Sequence, residues 1–279
     1  MVQERTGTDG SQILETMASR SCFFAMDIGT GCDDLAFRYE AVQKALAGVS
    51  STCRAKAKNM MHYSAGIWPS PEAIRSRNAQ MDTLADSVKM FTGNGGVITA
   101  VGECGLDHHW NPSGEDGRCE KDFDKAMYDG ERELFEMQLS FAQHMNLPVI
   151  VHSRDASADT LSCIRHAGYD CGIIHCYSYG LEEAKAFLER GWYISFSGSV
   201  TYTKRSKMED MVSLLRYVPS DRILCETDAP YLAPVPVRGQ SNTPVFVEHT
   251  CRFIAAARGV SAEELSGTVD QNCRTLFRI

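Results

Sequence analysis

The chain has 279 residues, 43% of them hydrophobic and 23% charged, which excludes a disordered or fibrous polypeptide and allows a core large enough to fold without disulfides or a structural metal. Its 28 basic and 36 acidic residues leave a net charge of −8, which argues against nucleic-acid binding through a globally basic surface but not through local cations or bound metal ions. The 11 cysteines are scattered without a Cys-x-x-Cys pair, there is no apolar run long enough for a membrane span, and the first residues lack the order of a signal peptide, so a cytoplasmic chain with free thiols is expected.

In chain order, a helix at 9–20 is followed by an apolar strand at 22–28, a helix at 35–47, a strand at 62–67, a helix at 74–90 and a strand at 97–102. A polar stretch at 111–129, with Pro, Gly and six acidic residues, reads as a surface insertion. Then come a helix at 131–145, a strand at 148–152, a helix at 158–166, a strand at 172–176, a helix at 181–190, a strand at 192–197, a helix at 207–217, a strand at 222–227, and helices at 244–258 and 262–277. Pro71 with Glu72 opens one helix, and Ser261 with Glu264 forms a capping box at another.

Strands alternating with helices predict βαβ units and a parallel sheet, an α/β fold in one domain over 1–279. The strand count is seven, whereas a TIM-like (β/α) barrel has eight. The chain opens on a helix and then a strand, so a full barrel would place one more strand ahead of that helix.

Four residues with metal-ligating side chains sit at the ends of four strands: Glu103 after ITAVG, His152 closing PVIV, His175 closing GII, and Asp228 after RILCET. Strand ends are where barrel active sites are built. Two imidazoles and two carboxylates suit one or two divalent ions, Zn²⁺, Mn²⁺ or Mg²⁺, and a carboxylate such as Glu103 could bridge a pair that clamps a phosphate.

At these residues VGECGLDHHW, PVIVHSRDAS, GIIHCYSYGLEEAKAFLERGWYISFSGSV, ETDAPYLAPVPVRGQSNTP and DQNCRTLF resemble the TatD-type metal-dependent hydrolases and deoxyribonucleases, in the family's order from about Ser11 to the C-terminus. The resemblance implies an amidohydrolase-like TIM barrel and metal-dependent hydrolysis of phosphodiester bonds, with DNA or another phosphodiester as substrate; no membrane partner is expected, since the sequence has no long apolar run. It places the bridging glutamate on Glu103, the two later histidines on His152 and His175, the final aspartate on Asp228, and the arginine after the first of these histidines on Arg154. Glu103 and Asp228 then carry catalysis, and Arg154 holds the substrate phosphate.

Two positions depart from the family pattern. The family opens with a His-x-His strand, but none of the 8 histidines here are spaced by two. Its Gly-Ile-His-Pro motif reads Gly66-Ile67-Trp68-Pro69, where an indole replaces a ligand. The leading reading is therefore a TatD-type deoxyribonuclease. The alternatives are a catalytically impaired relative serving as a binding module, and an esterase or amidase of the same architecture. His108 and His109 read as either mouth-lining residues or an exposed loop pair. Lys204, Arg205, Lys207 and Arg238 read as solvated loop cations or as contacts to a phosphate backbone.

Overall fold

The computed structural model describes residues 7, 9–109 and 123–279. The strands are β1 (Ala25–Asp27), β2 (Met61–Ala65), β3 (Ala100–Asp107), β4 (Val149–Arg154), β5 (Gly172–Ile174), β6 (Tyr193–Phe196) and β7 (Ile223–Cys225). The helices are α1 (Gly10–Ser19), α2 (Leu35–Gly48), α3 (Ser51–Met60), α4 (Pro71–Arg75), α5 (Arg77–Gly93), α6 (Lys125–Met145), α7 (Ser157–Ala167), α8 (Leu181–Leu188), α9 (Met208–Tyr217), α10 (Val247–Arg258) and α11 (Ala262–Phe277). The seven strands and the alternation with helices are those expected from the sequence. Among the described residues no helix is long and apolar enough to cross a membrane.

The chain divides into two compact units. The first comprises Met1–Met26, Arg38–His62 and Cys176–Ile279. Here β6 and β7 pair in parallel, and every residue of β6 is buried. Leu14, Met17 and Ala18 of α1 pack with Leu46 of α2, Val49, and Ala57 and Met60 of α3 into one apolar cluster. Helix α3 was not expected, because STCRAKAKNM is mostly polar. Two buried residues three apart suffice to dock it once α1 and α2 supply the opposing surface.

The second unit comprises Asp27–Phe37 and Tyr63–His175. Strands β2, β3, β4 and β5 pair in parallel, each with the next. Val149 and Val151 are fully buried and Ile150 nearly so, as suits a parallel strand covered on both faces. Helix α6 packs on β3, burying Leu134, Phe135 and Leu139. It starts at Lys125, six residues ahead of the periodic stretch, because the Asp124 carboxylate accepts the Met127 amide at 2.9 Å. Of the expected insertion, residues 111–122 lie outside the described residues, and 125–129 form the first turns of α6. The single helix expected at 74–90 is broken at Ser76 (φ −106°, ψ 22°) into α4 and α5, and α4 opens on the Ser70 hydroxyl, which accepts the Ala73 amide at 3.1 Å.

Candidate metal centre

Strand β3 is longer than the sequence pattern indicated, and its glycines explain why. Gly102 and Gly105 have φ of +135° and +143°, a region disfavoured for side-chain-bearing residues. A Cβ on Gly105 would stand 1.9 Å from the His152 carbonyl oxygen, so only glycine lets β3 lie this close to β4. Pairing then continues past a register shift between Val101 and Cys104, with Gly105 opposite His152 and Asp107 opposite Arg154. Glu103 thus lies inside β3 rather than after it. Its amide donates to the Gly29 carbonyl at 2.6 Å, and the Gly29 amide donates to the Ser64 hydroxyl at 3.0 Å. The next turn is tied by the Asp34 carboxylate, which accepts the Thr30 and Gly31 amides at 2.9 and 3.0 Å.

On this frame one carboxylate oxygen faces two imidazoles. Glu103 Oε1 is 2.8 Å from His152 Nδ1 and 3.1 Å from His175 Nε2, and the three side chains are only 14, 17 and 10% exposed. The ring nitrogen of His152 turned away from Glu103, Nε2, meets Asp107 Oδ2 at 3.2 Å. Asp107 is held in turn: its amide donates to Glu131 Oε1 at 2.9 Å and its Oδ1 accepts the His109 amide at 2.9 Å. The Trp68 ring stands edge-on to His152, with centroids 5.8 Å apart. Trp68 therefore covers His152 from the position where the family pattern places a histidine.

Burial by itself would raise the Glu103 pKa, but the charge of His175 and hydrogen bonds from both rings hold it well below the ordinary carboxylate range. Burial alone would lower the His152 pKa, yet hydrogen bonds to Asp107 and Glu103 hold it above the ordinary imidazole value. An ionised carboxylate between two buried imidazoles is an anionic, borderline-soft donor set. Its atoms all lie within 4.8 Å of one another. Ligands about 2.0–2.2 Å from a shared ion are spaced roughly 3–4 Å apart, so these residues fit a divalent cation.

Glu103, His152 and His175, three of the four ligands expected from the sequence, converge. His152 lies within β4, and His175 follows β5 directly, its amide bonded to the Val151 carbonyl at 3.0 Å. Arg154 is two residues beyond His152 on β4, so both side chains leave the same face of the strand. Asp228 belongs to the first unit, three residues past β7, where its carbonyl accepts the Tyr231 amide at 2.6 Å. Near it, the Glu226 carboxylate accepts the Cys176 amide. His108 and His109 are both engaged, His108 Nε2 lying 3.2 Å from Glu131 Oε2 and His109 Nδ1 2.7 Å from Asp155 Oδ2.

Sequence reasoning missed Asp107 and Glu131. The signal for Asp107 was its spacing: 103 and 107 share a strand parity, so both carboxylates leave β3 on one side. Glu131 is fully buried among the apolar residues of α6, and only its partners, the Asp107 amide and His108, account for it there.

The family profile described as TatD related DNase matches residues 8–278. The chain belongs to the TatD family. It is 38% identical over 219 residues to the uncharacterised metal-dependent hydrolase YcfH of Escherichia coli, covering 78% of this chain and 74% of that protein. It is 35% identical over 191 residues to a Pantoea vagans TatD protein described as a 3'-5' ssDNA/RNA exonuclease, covering 65% of this chain and 66% of that one. The crystal structure of the E. coli TatD homologue YjjV superposes with a TM-score of 0.68 over 92% of this chain and 99% of that one, at 24% identity. The α/β, TIM-like fold expected from strand order is thus shared with a solved TatD structure. The chain is a metal-dependent hydrolase of the TatD family, and the donor set of Glu103, His152 and His175 supports a divalent cation as its cofactor.

Proposed function

We propose that this TatD protein hydrolyses phosphodiester bonds of nucleic acid, with Glu103, His152 and His175 holding a divalent cation. The observation that carries the reading is Glu103 Oε1 within 3.1 Å of both histidine rings. The family description and the exonuclease named among the relatives support nucleic acid as the substrate.

A divalent cation, when bound, supplies Lewis acidity: it makes a water molecule acidic and offsets negative charge on phosphoryl oxygens. The chain's own residues do the rest. Glu103 supplies the anionic donor between the two rings. Asp107 fixes the tautomer and orientation of His152 from the opposite ring nitrogen. Trp68 covers the edge of that ring and limits water on its side. Arg154, on the His152 face of β4, offers a planar fork matched to a phosphate. By the family resemblance, the role of proton acceptor in the hydrolysis is assigned to Asp228.

The test is hydrolysis of bis(p-nitrophenyl) phosphate and of an oligonucleotide, with metal content measured on the same samples. EDTA, His152→Ala and Glu103→Gln are each expected to remove bound metal and hydrolysis together. Hydrolysis that survives all three sinks the mechanism. Stoichiometric metal binding with no hydrolysis of either substrate favours a binding module instead.

A further inference from the structure

Within the first unit, strand β7 ends on Cys225, and helices α10 and α11 pack against the strand. Ile223 and Cys225 leave it on one side and Leu224 on the other. Asn272 of α11 fixes the start of β7 by donating to the Ser220 and Ile223 carbonyls at 2.7 and 2.8 Å. The Glu226 amide fixes its end by donating to the Phe196 carbonyl at 3.0 Å. On α10, Cys251, Ile254, Ala255 and Arg258 fall on one stripe. Ile254 and Ala255 are buried, and Arg258 anchors the stripe by donating to the Val218 carbonyl at 2.8 Å.

Cys225 and Cys251 therefore meet between two fixed elements, and their thiols are hydrogen-bonded to each other. Both are half-buried, and the Cys251 sulfur also reaches the Ala262 carbonyl at 3.9 Å. The two sulfurs are chemically unequal. Cys225 donates to Cys251, and that bond, together with burial, pushes the Cys225 thiol well above its ordinary pKa. The same bond holds the Cys251 thiol below its ordinary value, against the effect of burial. Burial drives other thiols the opposite way from Cys251: Cys163 and Cys273 are pushed up to about 12. A half-buried sulfur that ionises readily beside a second thiol is the arrangement in which oxidation ends in a disulfide.

We propose that Cys225 and Cys251 form a modification site for hydroperoxides, with Cys251 as the attacking sulfur and Cys225 as the resolving one. The Cys251 thiolate takes an oxygen from the hydroperoxide, breaking its O–O bond, and the released hydroxide or alkoxide collects the proton that Cys251 gave up. The Cys225 sulfur then attacks the sulfenic sulfur of Cys251. The S–S bond forms, the S–O bond breaks, and the Cys225 proton leaves with the hydroxide as water. Two thiols lose two electrons and one hydroperoxide gains them. A disulfide holds its sulfurs about 2.05 Å apart, closer than thiols in hydrogen-bond contact. Its formation ties the end of β7 to α10 immediately before Glu226, whose carboxylate accepts the Cys176 amide. The site needs no metal and stands apart from the phosphodiesterase reading.

The test begins with the wild-type chain and needs no variant to fold. The reduced full chain, in EDTA to suppress metal-catalysed oxidation, is treated with stoichiometric hydrogen peroxide, alkylated with N-ethylmaleimide and digested without reductant. Peptide mass mapping is expected to show a linked peptide joining Cys225 to Cys251 that dithiothreitol separates. Cys53, half-buried and hydrogen-bonded to Glu15, is expected to be alkylated in the same sample. Cys225→Ser is expected to leave a sulfenic acid on Cys251 that dimedone traps. Cys225→Ala also removes the hydrogen-bond donor and is expected to slow that trapping about three-fold, because the thiolate fraction falls faster than nucleophilicity rises. Cys251→Ser is expected to abolish the linked peptide and leave Cys225 alkylated. Three results overturn the proposal: Cys251 still alkylated where Cys53 is oxidised, Cys225 linked to Cys273 instead, or dimedone on Cys225 in Cys251→Ser.

Discussion

Asp107 and His152 face each other from adjacent strands, Oδ2 to Nε2 at 3.2 Å, while the other nitrogen of the same ring points at Glu103. An imidazole placed between two carboxylates is held in one orientation. A ligating ring must also be neutral, so protons and metal compete for it. Asp107→Asn keeps the size but removes the charge behind the ring, and metal affinity is expected to fall about 10- to 100-fold by isothermal titration calorimetry. The direction with pH follows from the raised His152 pKa. Wild-type affinity increases as pH rises through that raised value. In Asp107→Asn the His152 pKa drops and the rise shifts to lower pH. An unshifted midpoint would mean that Asp107 does not act through His152.

Gly105 carries the contact between β3 and β4. With its Cβ position 1.9 Å from the His152 carbonyl, Gly105→Ala must push the strands apart at the ligand itself. The expected cost is at least about 1–3 kcal/mol in denaturant unfolding, with a loss of metal affinity in whatever folds. Full stability in the alanine variant would refute this account of β3.

Gln138 reaches from α6 to the segment after β2, where its side chain accepts the Ile67 amide at 2.8 Å and donates to the Ile67 carbonyl at 3.0 Å. It is fully buried. Gln138→Leu fills the space but orphans two backbone groups, so a loss of about 2–5 kcal/mol is expected. Because Ile67 precedes Trp68, the tryptophan fluorescence should change in the same variant.

Asp270 on α11 illustrates the opposite sign of linkage from that of Glu103. Burial raises its pKa, and Arg274 offsets this only in part. A carboxyl whose folded pKa is raised favours the native state below the unfolded value and loses that contribution as pH rises through the folded one. Asp270→Asn is therefore expected to raise Tm at neutral pH, with the gain vanishing in acid. A gain that persists unchanged at low pH would point to a cause other than ionisation.

What the sequence determined by itself was the class of fold and the chemistry of the site. Apolar runs alternating with amphipathic ones specify a parallel α/β chain, since each strand must be covered on both faces. Glu103, His152 and His175 were legible because each is a metal-ligating residue type closing or following an apolar run, and both properties are local, although the structure carries β3 past Glu103 and β4 past His152. The tertiary structure decided what depends on contacts between distant residues. Asp107 and Glu131 acquire their roles only when β4 and α6 are laid beside β3, because a buried carboxylate is tolerated solely where partners 24 and 45 residues away satisfy it. Helix α3 forms on an apolar surface that its own ten residues do not encode. The length of β3 was likewise hidden, because glycines that weaken a strand in isolation are what let this one approach His152.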